Sequence, residues 1–260
     1  RLTPTTVTSA ATYDAARYAA GAAIQTAVAG LESSIEEVPY ALVRPSGHHA
    51  QPAQADGFCF LNNVAIAAEH VIASGDADRV AIVDWDVHHG NGTQEMFYDR
   101  EDVLVVSLHN ETGAWYEPSH PQTGDLDESG RADGTGYTVN IPLPLGTGDR
   151  GYEHAFSRVV EPVVEAFDPD LLLVSAGQDA GATDPLGRNV VTPAGFGDLG
   201  RRIRELAVTS ADGHVGIVQE GGYQVSYLPF NTAAVLAGVA ARSLDGADAP
   251  IDPTSRDTMW

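Results

Sequence analysis

Short apolar runs rich in β-branched residues alternate along this chain with longer helical stretches, and no other feature limits its folding as strongly. Strands are predicted at Tyr40 to Arg44, Val80 to Asp84, Val103 to Leu108, Tyr137 to Ile141, Leu171 to Ser175 and Val215 to Gln219. Runs of this kind separated by helices indicate a parallel sheet with helices on its faces. The helices are predicted at Ser9 to Leu31, Asn62 to Ala73, Gly151 to Phe167, Pro193 to Ala211 and Asn231 to Ala240. At 260 residues and 43% apolar content the chain can build one large core, and no Pro/Gly/Ser-rich linker divides it, so residues 1–260 are read as a single domain. Asn110 to Gly136 lacks periodicity and is rich in Gly, Asp, Pro and Thr, which predicts a long, site-shaping loop after a strand. Ser243 to Pro253 is acidic and reads as surface tail.

Charge and cysteine content narrow the chemistry. The formal net charge is -22, from 36 acidic residues against 14 basic ones, all of them arginine. That balance excludes direct binding to nucleic acid, which rests on cations neutralising phosphates. It fits either a salt-adapted host or an ordinary acidic enzyme from an arginine-favouring genome. The one cysteine, Cys59, rules out an internal disulfide and a thiolate cluster, so a metal would have to be held by His and carboxylate. No run approaches the roughly 18 apolar residues of a membrane span, and the first residues lack a signal-peptide layout. A soluble, cytoplasmic protein without membrane partners is expected.

Four blocks carry chemistry, each just past a strand end, where ligand crevices of parallel sheets lie. In Val80 to Gly92, Asp84, Asp86 and His88 alternate, which points them to one side while the backbone stays extended. Asp179 follows the strand Leu171 to Ser175; beside Asp86 and His88 it would complete a His-plus-two-carboxylate set with an open position, the pattern of a catalytic metal site. Asp184-Pro185 further on reads as a turn. Arg44-Pro45-Ser46-Gly47-His48-His49-Ala50 offers two adjacent imidazoles suited to proton transfer near neutrality. In Gln219-Glu220-Gly221-Gly222-Tyr223 the glycines allow close backbone approach and Tyr223 offers a phenolic donor.

With these blocks in order, the sequence resembles the zinc-dependent histone deacetylase and acetylpolyamine amidohydrolase superfamily, in particular its class II-like microbial members. The matching stretches are Arg44 to Ala50, Gly57 to Ala67, Val80 to Gly92, Gly136 to Pro144, Leu172 to Gly187 and Glu220 to Tyr223. The resemblance implies the arginase/deacetylase fold, a three-layer α/β/α sandwich on a mostly parallel sheet of about eight strands, and an N-terminal segment that this sequence does not contain. It implies Asp86, His88 and Asp179 as zinc ligands, with Fe2+ or Co2+ as alternatives, and His48, His49 and Tyr223 as catalytic groups. Asp84 would orient the first histidine and, with the Ser107 region, hold a structural K+. Gly57, Phe58 and Gly222 would line the acyl channel, with Trp115 or Tyr116 as its second aromatic wall.

The implied reaction is hydrolysis of an acetyl or other acyl amide on a lysine or polyamine amine, with a small cationic acylated amine or an acetyl-lysine protein as substrate. His49 would take a proton from the attacking water, His48 or His49 would return one to the leaving amine, and Tyr223 would donate to the oxyanion. Two positions depart from the family pattern. Asn91 stands where the second histidine often has a carboxylate partner, and Gln178 replaces an aromatic before the third ligand. An arginase-like ureohydrolase would need two manganese ions bridged by several aspartates and leaves His48 and His49 idle. A catalytically silent acyl-lysine or polyamine binder has no need of a proton relay.

Overall fold

The computed structural model describes residue 3, residues 6–111 and residues 123–242. Trp115, Tyr116 and the tail beginning at Ser243 lie outside the described residues. Six parallel strands form one sheet: β1 (Tyr40–Ala41), β2 (Val80–Asp84), β3 (Val103–Asn110), β4 (Thr138–Leu143), β5 (Leu171–Ala176) and β6 (Val215–Gln219), in the spatial order β1-β6-β5-β2-β3-β4. The four inner strands β6, β5, β2 and β3 are buried at every position, in keeping with their largely apolar sequences.

Alternation along each strand feeds two cores. Ala81, Val83, Leu172 and Val174 face one layer, built from α4 (Asp149–Ala155), α5 (Glu161–Phe167), α6 (Pro193–Ser210) and α7 (Leu228–Val239). Val80, Ile82, Leu171 and Leu173 face the other, built from α1 (Thr12–Glu32), α2 (Asn63–Ser74) and the short α3 (Asn91–Phe97). Side chains such as Leu172 and Ile82, with no exposed surface, each contribute about 1.5–3 kcal/mol by leaving water. The α1 face that meets the sheet is made of small residues, and a side chain at Gly30 would meet the Val215 carbonyl at 2.8 Å.

Several elements differ from expectation: α1 begins at Thr12 rather than Ser9, and β3 and β4 each run two residues further, to Asn110 and Leu143. β1 stops at Ala41 rather than Arg44; Leu42 is already 71% exposed, and the chain leaves the sheet there. The predicted helix Gly151 to Phe167 has the right extent but is split by a π-helical turn, Phe156–Val160. α7 begins at Leu228, three residues before the predicted Asn231. The helix α3 was not expected, because Asn91-Gly92-Thr93 has poor helix propensity. Its first turn is held from outside: Thr93 N–H donates to the His48 carbonyl at 3.1 Å, and a Cβ on Gly92 would run into the Ala50 carbonyl.

Candidate active site

β2 and β5 are adjacent, with Asp84 level with Ser175, so the segments leaving their carboxyl ends share one crevice. Beyond Asp84 the extended backbone ends, yet the period-two display survives by another device. Asp86 N–H donates to Asp84 Oδ1 at 3.0 Å, and His88 N–H donates to Asp86 Oδ1 at 3.0 Å. Each acid thus holds the residue two places on, while Trp85 and Val87 are fully buried in the core beneath.

Asp86, His88 and Asp179 converge, with one ligand atom from each within 4.8 Å of the others. His88 Nδ1 faces Asp86 Oδ1 at 3.1 Å and Asp179 Oδ2 at 3.0 Å. One ring proton cannot serve both acids, and buried Asp179 Oδ2 lacks a well-directed hydrogen bond. The other carboxylate oxygens are held by backbone: Val87 N–H donates to Asp179 Oδ1 at 2.9 Å, and Gly221 N–H donates to Asp86 Oδ2 at 2.7 Å. Glycine is required around them, since a Cβ at Gly177 would run into Asp86 and one at Gly221 into both acids. An orphaned carboxylate oxygen, a cradle kept clear of side chains and a hard-oxygen-plus-imidazole donor set all fit one divalent ion with a coordination position left open.

Titration follows the same field. Burial pushes Asp179 up to about 7, with Asp86 adding to it and His88 opposing. Against burial, which would raise it, His48 and His88 hold Asp86 well below the carboxylate range. Against burial, which would lower it, Asp179 and Asp86 raise His88 to about 10. The crevice draws positive charge to the point between the two acids.

The two adjacent imidazoles have opposite surroundings. His48 Nδ1 bonds Asp84 Oδ2 at 2.9 Å, and its Nε2 lies 3.8 Å from Asp86 Oδ1. Burial opposes its charging, but Asp86, Asp84 and Glu220 together raise it well above the usual histidine value. His49 Nδ1 bonds Asn91 Oδ1 at 2.7 Å, a neutral partner, and burial reinforced by His48 and His88 pushes it well below that value. The rings are 4.0 Å apart centre to centre.

Tyr223 lies at the end of the fourth block. Burial, then Asp179 and Asp86, raise its phenol, so it stays protonated across the neutral range. Its ring meets Phe58 edge-on at 5.9 Å, and the Arg44 guanidinium lies 5.7 Å from its centre. Gly57 backs onto His49, whose ring a Cβ there would strike, and Phe58 is 37% exposed, as a channel lip would be. Gly222, at φ 130, is buried; a Cβ there would meet Leu228 Cδ1 at 2.7 Å and Gln178 Cβ at 3.5 Å, so it faces the α7 side. Asp84 and Ser107 are level on neighbouring strands, and Ser107 Oγ lies 2.9 Å from His109 Nδ1. Gln178 is buried and shares a hydrogen-bond triangle with Tyr40 and Gln219.

Two residues that sequence reasoning left without a role hold the histidine loop. Glu220, fully buried, accepts from Gly47 N–H at 2.7 Å and His48 N–H at 3.2 Å through Oε2. Burial pushes its carboxyl up to about 7 although His48 pulls it down. Asn62 caps α2 by accepting from Ala65 N–H at 3.0 Å, while its amide donates to Thr93 Oγ1 at 3.1 Å and to the Ala50 carbonyl at 3.3 Å. The sequence signal for Asn62 is an Asn directly before a helical run; nothing local marks Glu220, whose partners are 172 and 173 residues away.

Fold and crevice together define an α/β protein of the arginase/deacetylase type. The chain belongs to the histone deacetylase domain family, whose model matches residues 2–239. It is 47% identical over 234 residues to histone deacetylase 8 of Arabidopsis thaliana, covering 90% of this chain and 62% of that protein. It is 43% identical over 239 residues to a probable deacetylase of Archaeoglobus fulgidus, covering 92% of this chain and 64% of that protein. The crystal structure of an acetylpolyamine aminohydrolase from Burkholderia pseudomallei superposes with a TM-score of 0.79 at 39% identity, covering 89% of this chain and 64% of that one. The chain thus spans somewhat under two thirds of the length of these relatives.

Proposed function

We propose that this chain hydrolyses an acyl amide, acetyl foremost, on a lysine or polyamine amine, using one zinc ion held by Asp86, His88 and Asp179. The observation that carries the proposal is the convergence of those three side chains beside the His48–His49 pair. Bound there, zinc supplies Lewis acidity toward the amide carbonyl and lowers the pKa of water to about 7; iron(II) and cobalt(II) suit the same donor set.

The remaining steps belong to the chain's own residues. His49, kept neutral and anchored through Nδ1 on Asn91, offers Nε2 to take the proton of the attacking water. His48, held charged against burial by Asp86 and Asp84, is the acid that returns a proton to the leaving amine. Tyr223, held protonated, donates to the oxygen on which negative charge grows. Phe58 and Gly57 line the entrance for an unbranched acyl-amine arm. Asp84 and Ser107, level on β2 and β3, are the side chains toward which a structural potassium ion would bind.

Both substrate classes remain in play, since the similar proteins bear the names of a deacetylase and an acetylpolyamine aminohydrolase, and the acidic chain attracts either cationic substrate. No helix among the described residues is long and apolar enough to cross a membrane. A buried, unpaired Cys59, its thiol pushed up to about 12 by burial, suits the reducing cytoplasm, and one continuous sheet supports reading residues 1–260 as one domain.

The test is acetate or acyl release from acetyl-lysine peptides, acetylpolyamines and longer acyl-lysines, with zinc-loaded and chelator-stripped protein. Release by the loaded protein alone supports the proposal. No release from any substrate by protein carrying one zinc per chain ends it.

A further inference from the structure

We propose that Asp184 is a positioning residue: its carboxylate ties the backbone of Tyr223 to the segment that carries Asp179, and so fixes the point from which the phenol is presented. This rests on the reading of Tyr223 as the oxyanion donor. The Asp184-Pro185 pair looks like an ordinary turn, and half of the carboxylate's work is that of a turn: Oδ1 accepts from Leu186 N–H at 2.9 Å and Gly187 N–H at 3.3 Å. The other half leaves the turn. Oδ2 accepts from Tyr223 N–H at 2.7 Å and Gln224 N–H at 3.2 Å, 39 and 40 residues further along.

The anchor is rigid on one side. Asp184 N–H donates to the Gly181 carbonyl at 3.0 Å, and Gly181 N–H to the Gln178 carbonyl at 3.2 Å, so the turn is wound onto the segment around Asp179. Gly187 closes it, because a Cβ there would run into the Asp179 carbonyl and would lie 3.4 Å from Val87 Cγ1. The tethered side is less regular. Residues 220–224 have no regular secondary structure, and Gly222 sits at φ 130, a conformation that glycine adopts freely. Tyr223's ring neighbours, Phe58 and Arg44, are themselves exposed. On the amino-terminal side the loop is held by the Gly221 N–H bond to Asp86 and by Gln178 N–H, which donates to the Gly221 carbonyl at 3.0 Å; on the carboxyl side Asp184 holds the Tyr223 and Gln224 N–H groups, while the Gln224 carbonyl accepts from Tyr227 and Leu228 N–H at 2.9 and 2.8 Å.

A carboxylate is the side chain this geometry needs. Four backbone N–H groups converge on two oxygens, and all four donate. Asparagine supplies one acceptor oxygen, so its NH2 group must face one pair of donors. The turn pair is covalently close and will keep the oxygen, and the Tyr223 pair will lose it.

The experiment compares wild type, Asp184→Asn, Tyr223→Phe and the double variant, all zinc-loaded, with amide exchange of Tyr223 and Gln224 followed by NMR. Asp184→Asn is expected to keep its zinc and its KM, to exchange both amides at least about tenfold faster, and to lose about tenfold in kcat. On the Tyr223→Phe background the same change should cost less than about twofold, because it acts through the phenol. Equal loss of kcat on both backgrounds, or Tyr223 and Gln224 amides that exchange in the wild type as fast as that of exposed Val225, overturns the proposal. If Asp184→Asn does not fold, Asp184→Ser replaces it in the cycle, and the wild-type exchange rates still decide. If Tyr223→Phe alone keeps full turnover, the oxyanion reading is at fault, and the exchange data report on the tether independently.

Discussion

Replacing Asn91 by aspartate changes the charge beside His49 while leaving its geometry in place. The imidazole Nδ1 and the amide oxygen are 2.7 Å apart. A full negative charge at that distance attracts the imidazolium by roughly 6 kcal/mol at an effective dielectric of about 20. Part of this is offset by desolvating the new carboxylate and part is already present as the neutral hydrogen bond. The net effect expected of such a partner is about 1–3 pKa units upward. The sign follows from the proposed role: a base must be unprotonated in the free protein. His49 is held below the usual histidine value in the wild type, so the acid limb of kcat/KM should lie below about pH 6.5. In Asn91→Asp that limb should move up by about 1–3 pH units, with a tenfold loss of kcat/KM per unit on its acid side. The assay is the pH profile of kcat/KM on one acyl-lysine peptide for both proteins. An acid limb that stays where it was would remove His49 from the role of base.

Three further outcomes are expected. Tyr223→Phe should retain one zinc per chain and fall about a hundredfold to a thousandfold in kcat; turnover close to wild type would remove the phenol from the reaction. Gly221→Ala should lose zinc affinity while the sheet stays folded, since the added methyl would run into both Asp179 and Asp86; metal titration checks it, and unchanged affinity would contradict the cradle. His109 is held down at about 4 by burial, although the Gly124 carbonyl works the other way. A depressed histidine gives stability that is present above its free value near 6.5 and is lost as pH falls through 4, here about 3 kcal/mol. Urea unfolding between pH 7 and 4 should show a flatter decline in His109→Asn, and an equally steep one would assign the acid loss elsewhere.

The residues brought together at the crevice are the ones whose signal is local. Asp84, Asp86 and His88 alternate within five positions after an apolar run, and His48 and His49 are adjacent, so their chemistry can be read without knowing what they touch. Their mechanical supports cannot be read that way. Glu220 and Asp184 accept from backbone 173 and 39 residues away, and Asn62 donates to Thr93, 31 residues on; locally Asn62 looks like a cap, Asp184 like a turn, and Glu220 like neither. The same cause explains α3: its residues form a weak helix alone, and the His48–Ala50 loop stabilises its first turn. The inner strands were legible because they are buried on both faces. The end of β1 was not, because Leu42 and Val43 continue the apolar run after the pairing has stopped.

The most direct measurement is a crystal structure with anomalous diffraction data on either side of the zinc edge. One peak is expected within about 2.0–2.2 Å of an oxygen from each of Asp86 and Asp179 and of His88 Nδ1. A zinc peak bound elsewhere, with His88 still bridging two bare carboxylates, would contradict the assignment of this crevice as the catalytic centre.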